Sequence, residues 1–151
     1  LIEFDRREPV VLAPGTVCPF NSQNTLFFQQ VFPLLYLPAT VTFRFTDILR
    51  SLVAQPILWT AGLRLGFTNA TVRQDRNEHD YVDDFESEVP MYLRGEEATE
   101  VAREAVAADE TVGGNLRRVY EALVDASVVR ETELDVLDAW LGDLETLSRP
   151  S

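Results

Sequence analysis

The chain has 151 residues, 46% apolar and 25% charged, the balance of one globular domain or one domain with a small appendage rather than of a disordered polymer. Net charge is −12, and all thirteen basic residues are arginine. The excess is lopsided: residues 1–80 hold seven acids and seven arginines, and residues 81–151 hold eighteen acids and six arginines. Such an acidic half repels a nucleic-acid backbone, and no basic stripe elsewhere offsets it, so nucleic acid is excluded as a partner. The single cysteine, Cys18, rules out an intrachain disulfide, which a core of this size does not need.

Residues 9–13 predict a short buried strand, with Val10, Val11 and Leu12 between breakers, and Pro14-Gly15 predicts a turn. Residues 16–24 are polar and proline-interrupted, the pattern of a loop. Residues 25–36 read as a short helix, capped by Asn24 or Thr25 and ended or kinked at Pro33. Residues 39–45 alternate β-branched and aromatic side chains, an extended approach to Thr46 and Asp47, both good helix caps. Behind them Ile48, Leu49, Leu52, Val53, Ile57 and Leu58 recur at helical spacing, Pro56 should bend the helix, and Gly62 closes it. Residues 63–68 and 70–74 predict two short strands.

From Asp80 the pattern turns acidic and helical. Residues 80–88 predict a short helix ended by Pro90, and residues 96–107, 115–127 and 132–147 predict three amphipathic helices. The last has a capping box in Thr132 and Asp135 and an apolar seam at Leu134, Leu137, Leu141 and Leu144. That seam either packs on Leu116, Val119, Tyr120 and Leu123 of the preceding helix, the simpler reading, or docks a partner helix. The longest apolar stretch, residues 25–41, is interrupted by Gln29, Gln30, Pro33 and Pro38 and does not read as a bilayer-spanning helix.

No phosphate loop, dinucleotide fingerprint, zinc-type cysteine pair or Gly-x-Ser-x-Gly elbow is present. Two places remain for chemistry. The first is Arg44, Thr46, Asp47 and Arg50. A carboxylate at a helix N-terminus sits on the positive end of the dipole, and facing a cleft it can take a proton from an attacking hydroxyl. The plainer reading of the spacing is that Asp47 caps its helix with Arg50 as a neighbouring ion pair. The second is the RQDRNEHDY segment, residues 73–81, where His79 with a carboxylate could hold a metal; its plainer reading is a solvated loop.

These two places stand in a recognisable order. The stretches CPFNSQNTLFF, FPLLYLPATVTFRFTDILRSLVAQPILW and LGFTNATVRQDRNEHDYVDDFESEVPMY resemble the STELLO-type family of glycosyltransferases, and more distantly the reversibly glycosylated polypeptides, which are UDP-arabinopyranose mutases. The resemblance covers about half of the chain. Its most specific piece is the aromatic-Arg-x-Thr-Asp-Ile-x-Arg run followed by the helix that carries Gln-Pro/Arg-x-x-Trp.

The resemblance implies an α/β fold, namely the acceptor-side half of a GT-A-like (Rossmann-like) glycosyltransferase over residues 1–92, followed by an acidic helical tail over residues 93–151. It implies transfer of a sugar from a nucleotide-sugar donor to an acceptor hydroxyl, with a divalent metal, manganese or magnesium, on the diphosphate. Carried over, Asp47 would be the catalytic carboxylate and His79 the metal ligand. Arg44 and Arg50 would steady phosphate or acceptor, and Asn21 and Asn24 would line the acceptor loop. The family is expected in the Golgi lumen or membrane, anchored by a segment outside this chain.

The sequence departs from the pattern in one respect: no Asp-x-Asp follows a predicted strand, and Asp83-Asp84 falls in an acidic helix. The chain opens on Leu1, so the nucleotide-binding half is expected before it, and these residues alone are expected to have little activity. The alternatives are a pseudoenzyme, or a scaffold that offers its C-terminal helices to a protein partner.

Overall fold

A computed structural model describes residues 8–72, 75, 78 and 80–147. Its architecture is helical. Among the described residues, four α-helices, α1 (Phe43–Thr60), α2 (Tyr81–Ala105), α3 (Val112–Asp125) and α4 (Glu133–Leu147), follow a 3₁₀ segment (Gln29–Leu35) that kinks at Val31. Strand structure among the described residues is two short strands, β1 (Val10–Val11) and β2 (Gly66–Phe67), paired antiparallel with Val10 opposite Phe67. The expected Rossmann-like α/β fold is therefore overturned: among the described residues there is no central parallel sheet for helices to cover.

The physical reason lies in burial. The β-branched and aromatic run at residues 39–45 has strand propensity, which is a weak preference that packing overrides. Phe45 is 1% exposed, which a helix starting at residue 43 achieves by turning it into the core. The helix cap is accordingly Thr42, four residues ahead of the expected start, and its hydroxyl donates to the Ser87 carbonyl of α2 (2.7 Å). Val10 and Val11, expected to be buried, are 55% and 62% exposed.

The core centres on α1. Leu49, Val53 and Ile57 are almost wholly buried, as the helical spacing predicts, and they join Ala98 and Ala102 of α2, Leu116, Val119, Tyr120 and Leu123 of α3, and Leu137 of α4 in one cluster. The α4 seam thus packs internally on α3. Gly62 (φ +74°) ends α1 in a Schellman turn, with Leu63 N donating to Leu58 O (2.7 Å) and Gly62 N to Trp59 O (3.0 Å).

α2 begins where Asp80 Oδ1 accepts from Val82 N (2.9 Å), as an N-cap should. It then runs through Pro90, where the sequence predicts an end, and across residues 92 and 93 without a break. A proline inside a helix costs about 3 kcal/mol. The close seating of Gly95, Ala98 and Ala102 on α1 offsets it; a side-chain carbon on Gly95 would lie 3.4 Å from Leu52 Cδ1.

α4 is fastened by a buried carboxylate. Glu133, wholly inaccessible, accepts from Ala39 N (2.8 Å), Thr40 N (2.8 Å), Thr40 Oγ1 (2.5 Å) and the Tyr36 hydroxyl. Trp140 Nε1 adds a bond to Pro33 O (3.1 Å). Residues 33–40 and α4, about a hundred positions apart in sequence, are thereby locked together.

Candidate functional site

The loop over residues 16–28 lies along α1, and α1 supplies the groups that hold it. Gln55, fully buried, makes a reciprocal pair with one residue of the loop: Cys18 N donates to Gln55 Oε1 (3.0 Å) and Gln55 Nε2 donates to Cys18 O (3.0 Å). About a turn and a half earlier, Arg50 sits beneath two rings, with its guanidinium carbon 5.6 Å from the Phe20 centroid and 5.2 Å from that of Phe27. One further turn earlier, Asp47 Oδ2 accepts from Ser22 N (2.9 Å). Residues 47, 50 and 55 of α1 are thus three successive attachments for the loop.

Arg50 is unusual among these. Only 5% of it is exposed, yet Nε and Nη2 have no hydrogen-bond partner among the described residues. Burial pushes its pKa below the ordinary arginine range, with the Asp47 carboxylate and Tyr120 opposing that shift. The Tyr120 hydroxyl on α3 is likewise buried and without a partner among the described residues. Buried polar groups in native proteins are nearly always satisfied, so a guanidinium short of acceptors is an informative exception.

The structure gathers some of the expected site residues and separates others. Asp47 and Arg50 share one face of α1. Asp47 stands in the second turn rather than at the cap, because α1 starts earlier than its sequence predicts. Asn21 folds back on its own loop, accepting from Gln23 N (3.1 Å) and donating to Gln23 Oε1 (2.7 Å), and so shapes the turn next to Ser22. Asn24 adopts left-handed backbone geometry (φ 51°), which asparagine tolerates well, and its Oδ1 accepts from Thr71 Oγ1 (2.9 Å). That bond brings the segment after β2 against the loop. Arg44, by contrast, pairs with Asp84 of α2. His79 lies outside the described residues.

Among the described residues no three His, Cys, Asp or Glu side chains converge as a metal site. Asp47 is engaged by a backbone N–H. Sequence reasoning also passed over Phe20, Phe27 and Gln55. Phe20 and Phe27 flank the polar stretch between them, a signal that an aromatic clamp was available; Gln55 opens the Gln-Pro-x-x-Trp run of the family resemblance, but that run carried no sign of its bond to the loop.

The family profile of STELLO glycosyltransferases matches residues 44–149, and the chain belongs to that family. It is 33% identical over 152 aligned positions to "Probable glycosyltransferase STELLO2" of Arabidopsis thaliana, an alignment covering 95% of this chain and 19% of that protein. It is 40% identical over 62 positions to "Probable glycosyltransferase STELLO1" of the same plant, covering 40% of this chain and 8% of that protein. The chain thus spans about a fifth of the length of the STELLO2 relative. No solved structure matches it.

Proposed function

We propose that this chain is part of a glycosyltransferase that moves a sugar from a nucleotide-sugar donor to an acceptor hydroxyl, and that the Asp47–Arg50 face of α1 with its loop belongs to the acceptor side. Family membership supports the class of reaction. The observation that carries the site is Asp47 pinned by Ser22 N through one carboxylate oxygen, next to a buried arginine two of whose nitrogens lack acceptors among the described residues. In the proposed step Asp47 accepts the hydroxyl proton as the acceptor oxygen bonds to the anomeric carbon. The bond from that carbon to the diphosphate oxygen breaks, and the nucleoside diphosphate departs with the electron pair. Arg50 acts as a positioning residue, keeping the loop of Asn21 and Asn24 at a fixed height above Asp47.

A manganese or magnesium ion on the diphosphate is part of the expectation for the family. Among the described residues no three His, Cys, Asp or Glu side chains converge to hold it. Residence in the Golgi belongs to the same proposal and rests on family resemblance; among the described residues, no helix is long and apolar enough to cross a membrane.

The test is sugar transfer from UDP-sugars by the longest natural form of the protein, with and without manganese, beside Asp47→Asn. Loss of turnover by a factor on the order of 10²–10⁴, with donor binding kept, is expected if Asp47 is the base. Unchanged turnover removes Asp47 from that role. Absence of UDP-sugar binding by the folded protein returns the reading to a pseudoenzyme or scaffold.

A further inference from the structure

α2 carries a continuous stripe that the transferase reading does not use. Tyr81, Phe85, Glu88, Tyr92, Glu96, Thr99 and Arg103 recur at intervals of three or four and so share one side of the helix. Downstream, this side opens on a groove of about 590 Å³ between Pro19, Ile48 and Leu52 on one wall and Met91, Tyr92 and Gly95 on the other. Gly95 deepens it, since any larger residue would add a side chain between the helices. Upstream, the apolar members are bare: Tyr81 is 81% exposed, Phe85 61% and Tyr92 66%, with Phe85 and Tyr92 in ring contact at 6.4 Å. Val82 (74%) and Leu93 (74%) border the stripe. Large apolar patches of this sort mark surfaces that something covers.

The charges around the patch select the occupant. Glu96 and Glu100 line the groove, and Asp83, Glu86 and Glu88 flank the bare aromatics. Arg103, the cation in the groove lining, is committed to Glu100, to Gly15 O and to the Trp59 ring. No ion pair to Asp83, Glu86, Glu88 or Glu96 occurs among the described residues. A second copy of this chain would bring its own acids to the same place and be repelled, as would an anionic membrane.

We infer that this α1–α2 groove and the α2 stripe above it dock a basic amphipathic helix, with apolar side chains at i, i+3 or i+4 and i+7 entering the groove and lysine or arginine facing the α2 acids. The stripe from Tyr81 to Arg103 is about 33 Å long at 1.5 Å per residue, enough for five to six turns of a partner helix running alongside. This inference is independent of the transferase reading, since it uses none of Asp47, Arg50 or the loop beyond Pro19.

The probe is an 18-residue model helix of leucine and lysine in amphipathic order, compared with its leucine–glutamate counterpart. Binding to the full chain is read by fluorescence anisotropy and sedimentation. The lysine helix should bind, weaken with added salt, and lose at least tenfold in affinity to the Phe85→Ser/Tyr92→Ser variant, which leaves net charge unchanged. Both residues are exposed, so the variant should keep the circular dichroism of the parent. A control, Leu26→Ser/Leu147→Ser, removes exposed apolar residues elsewhere and should bind as the parent does. Equal affinity for parent and Phe85→Ser/Tyr92→Ser would reduce the effect to bulk charge and overturn the inference. So would equal binding of the glutamate helix, or self-association of the parent that the double variant abolishes. Stripe-dependent binding to phosphatidylserine vesicles in place of the peptide would also overturn it.

Discussion

Among the described residues two charged side chains are buried, and they are treated in opposite ways. Glu133, at the joint of α4 with residues 36–40, meets four donors and leaves nothing unsatisfied that the chain could supply. Arg50, at the joint of α1 with the loop, is nearly as inaccessible but holds two nitrogens without acceptors among the described residues, and the aromatic faces of Phe20 and Phe27 are its compensation. A buried charge with a full set of hydrogen bonds is an architectural fastening. A buried charge without one is a local cost that the rest of the fold carries, and such costs collect where a protein functions. The contrast separates the joint that makes the fold from the joint that the proposed chemistry uses.

Removal of each charge sharpens that contrast. Glu133→Ala strips the acceptor from Tyr36, Ala39 and Thr40 at once, and chemical denaturation should show a loss of about 4 kcal/mol, since each buried donor left without an acceptor costs about 1–3 kcal/mol. A loss below about 1 kcal/mol would mean that residues 36–40 find other partners and that Glu133 is not the fastening.

High pH probes the same joint. Burial, and secondarily the Glu133 carboxylate, raises the pKa of both Tyr36 and Tyr120 above the ordinary 10.0. As pH climbs past 10 the unfolded chain releases these protons first and the folded chain retains them. Stability is thus fully present below pH 10 and falls above it, by about 1.4 kcal/mol per pH unit for each tyrosine that stays protonated. Tyr36→Phe should flatten the decline in melting temperature above pH 10; an unchanged decline would assign it to other groups.

Arg50→Met should behave unlike Glu133→Ala. Replacing a poorly satisfied buried charge by an apolar chain of similar length is often neutral or stabilising, so a gain of about 1 kcal/mol is expected, with impaired transfer in the longest natural protein. If stability instead falls by several kcal/mol, Arg50 is a fastening like Glu133, and the contrast collapses. The smallest effect belongs to Asp47→Ala. It frees one exposed backbone N–H, costs about 0.5–1 kcal/mol, and should speed hydrogen exchange at the Ser22 amide while exchange in the α1 core is unaltered.

Much of the helical content was legible in the sequence because a 3.6-residue period survives there wherever one side of a helix is buried. Leu49, Val53 and Ile57 in α1, and Leu116, Val119, Tyr120 and Leu123 in α3, stand in the core as that period requires. The turn at Pro14-Gly15 and the helix stop at Gly62 were readable for a local reason as well, since both glycines take positive φ. At the candidate site the residue types drew attention to Asp47, Arg50, Asn21 and Asn24. Their neighbourhood, with Ser22 on Asp47 and Thr71 on Asn24, depends on contacts 25 and 47 residues apart that no local pattern encodes.

By itself, then, the sequence determined an acidic, arginine-only chain of the STELLO type, the helical periods, the turn chemistry and the residues worth watching. The tertiary structure alone decided that residues 39–45 end in a helix start rather than a strand, that α2 continues through Pro90, and that no central sheet forms among the described residues. It also decided that Glu133 is spent on the fold while Arg50 is left short of partners. The division has one physical cause. Propensity and periodicity act over a turn or two at a few tenths of a kcal/mol per residue. Burial and the satisfaction of buried charge act between distant segments at several kcal/mol, and where the two conflict the stronger force sets the structure.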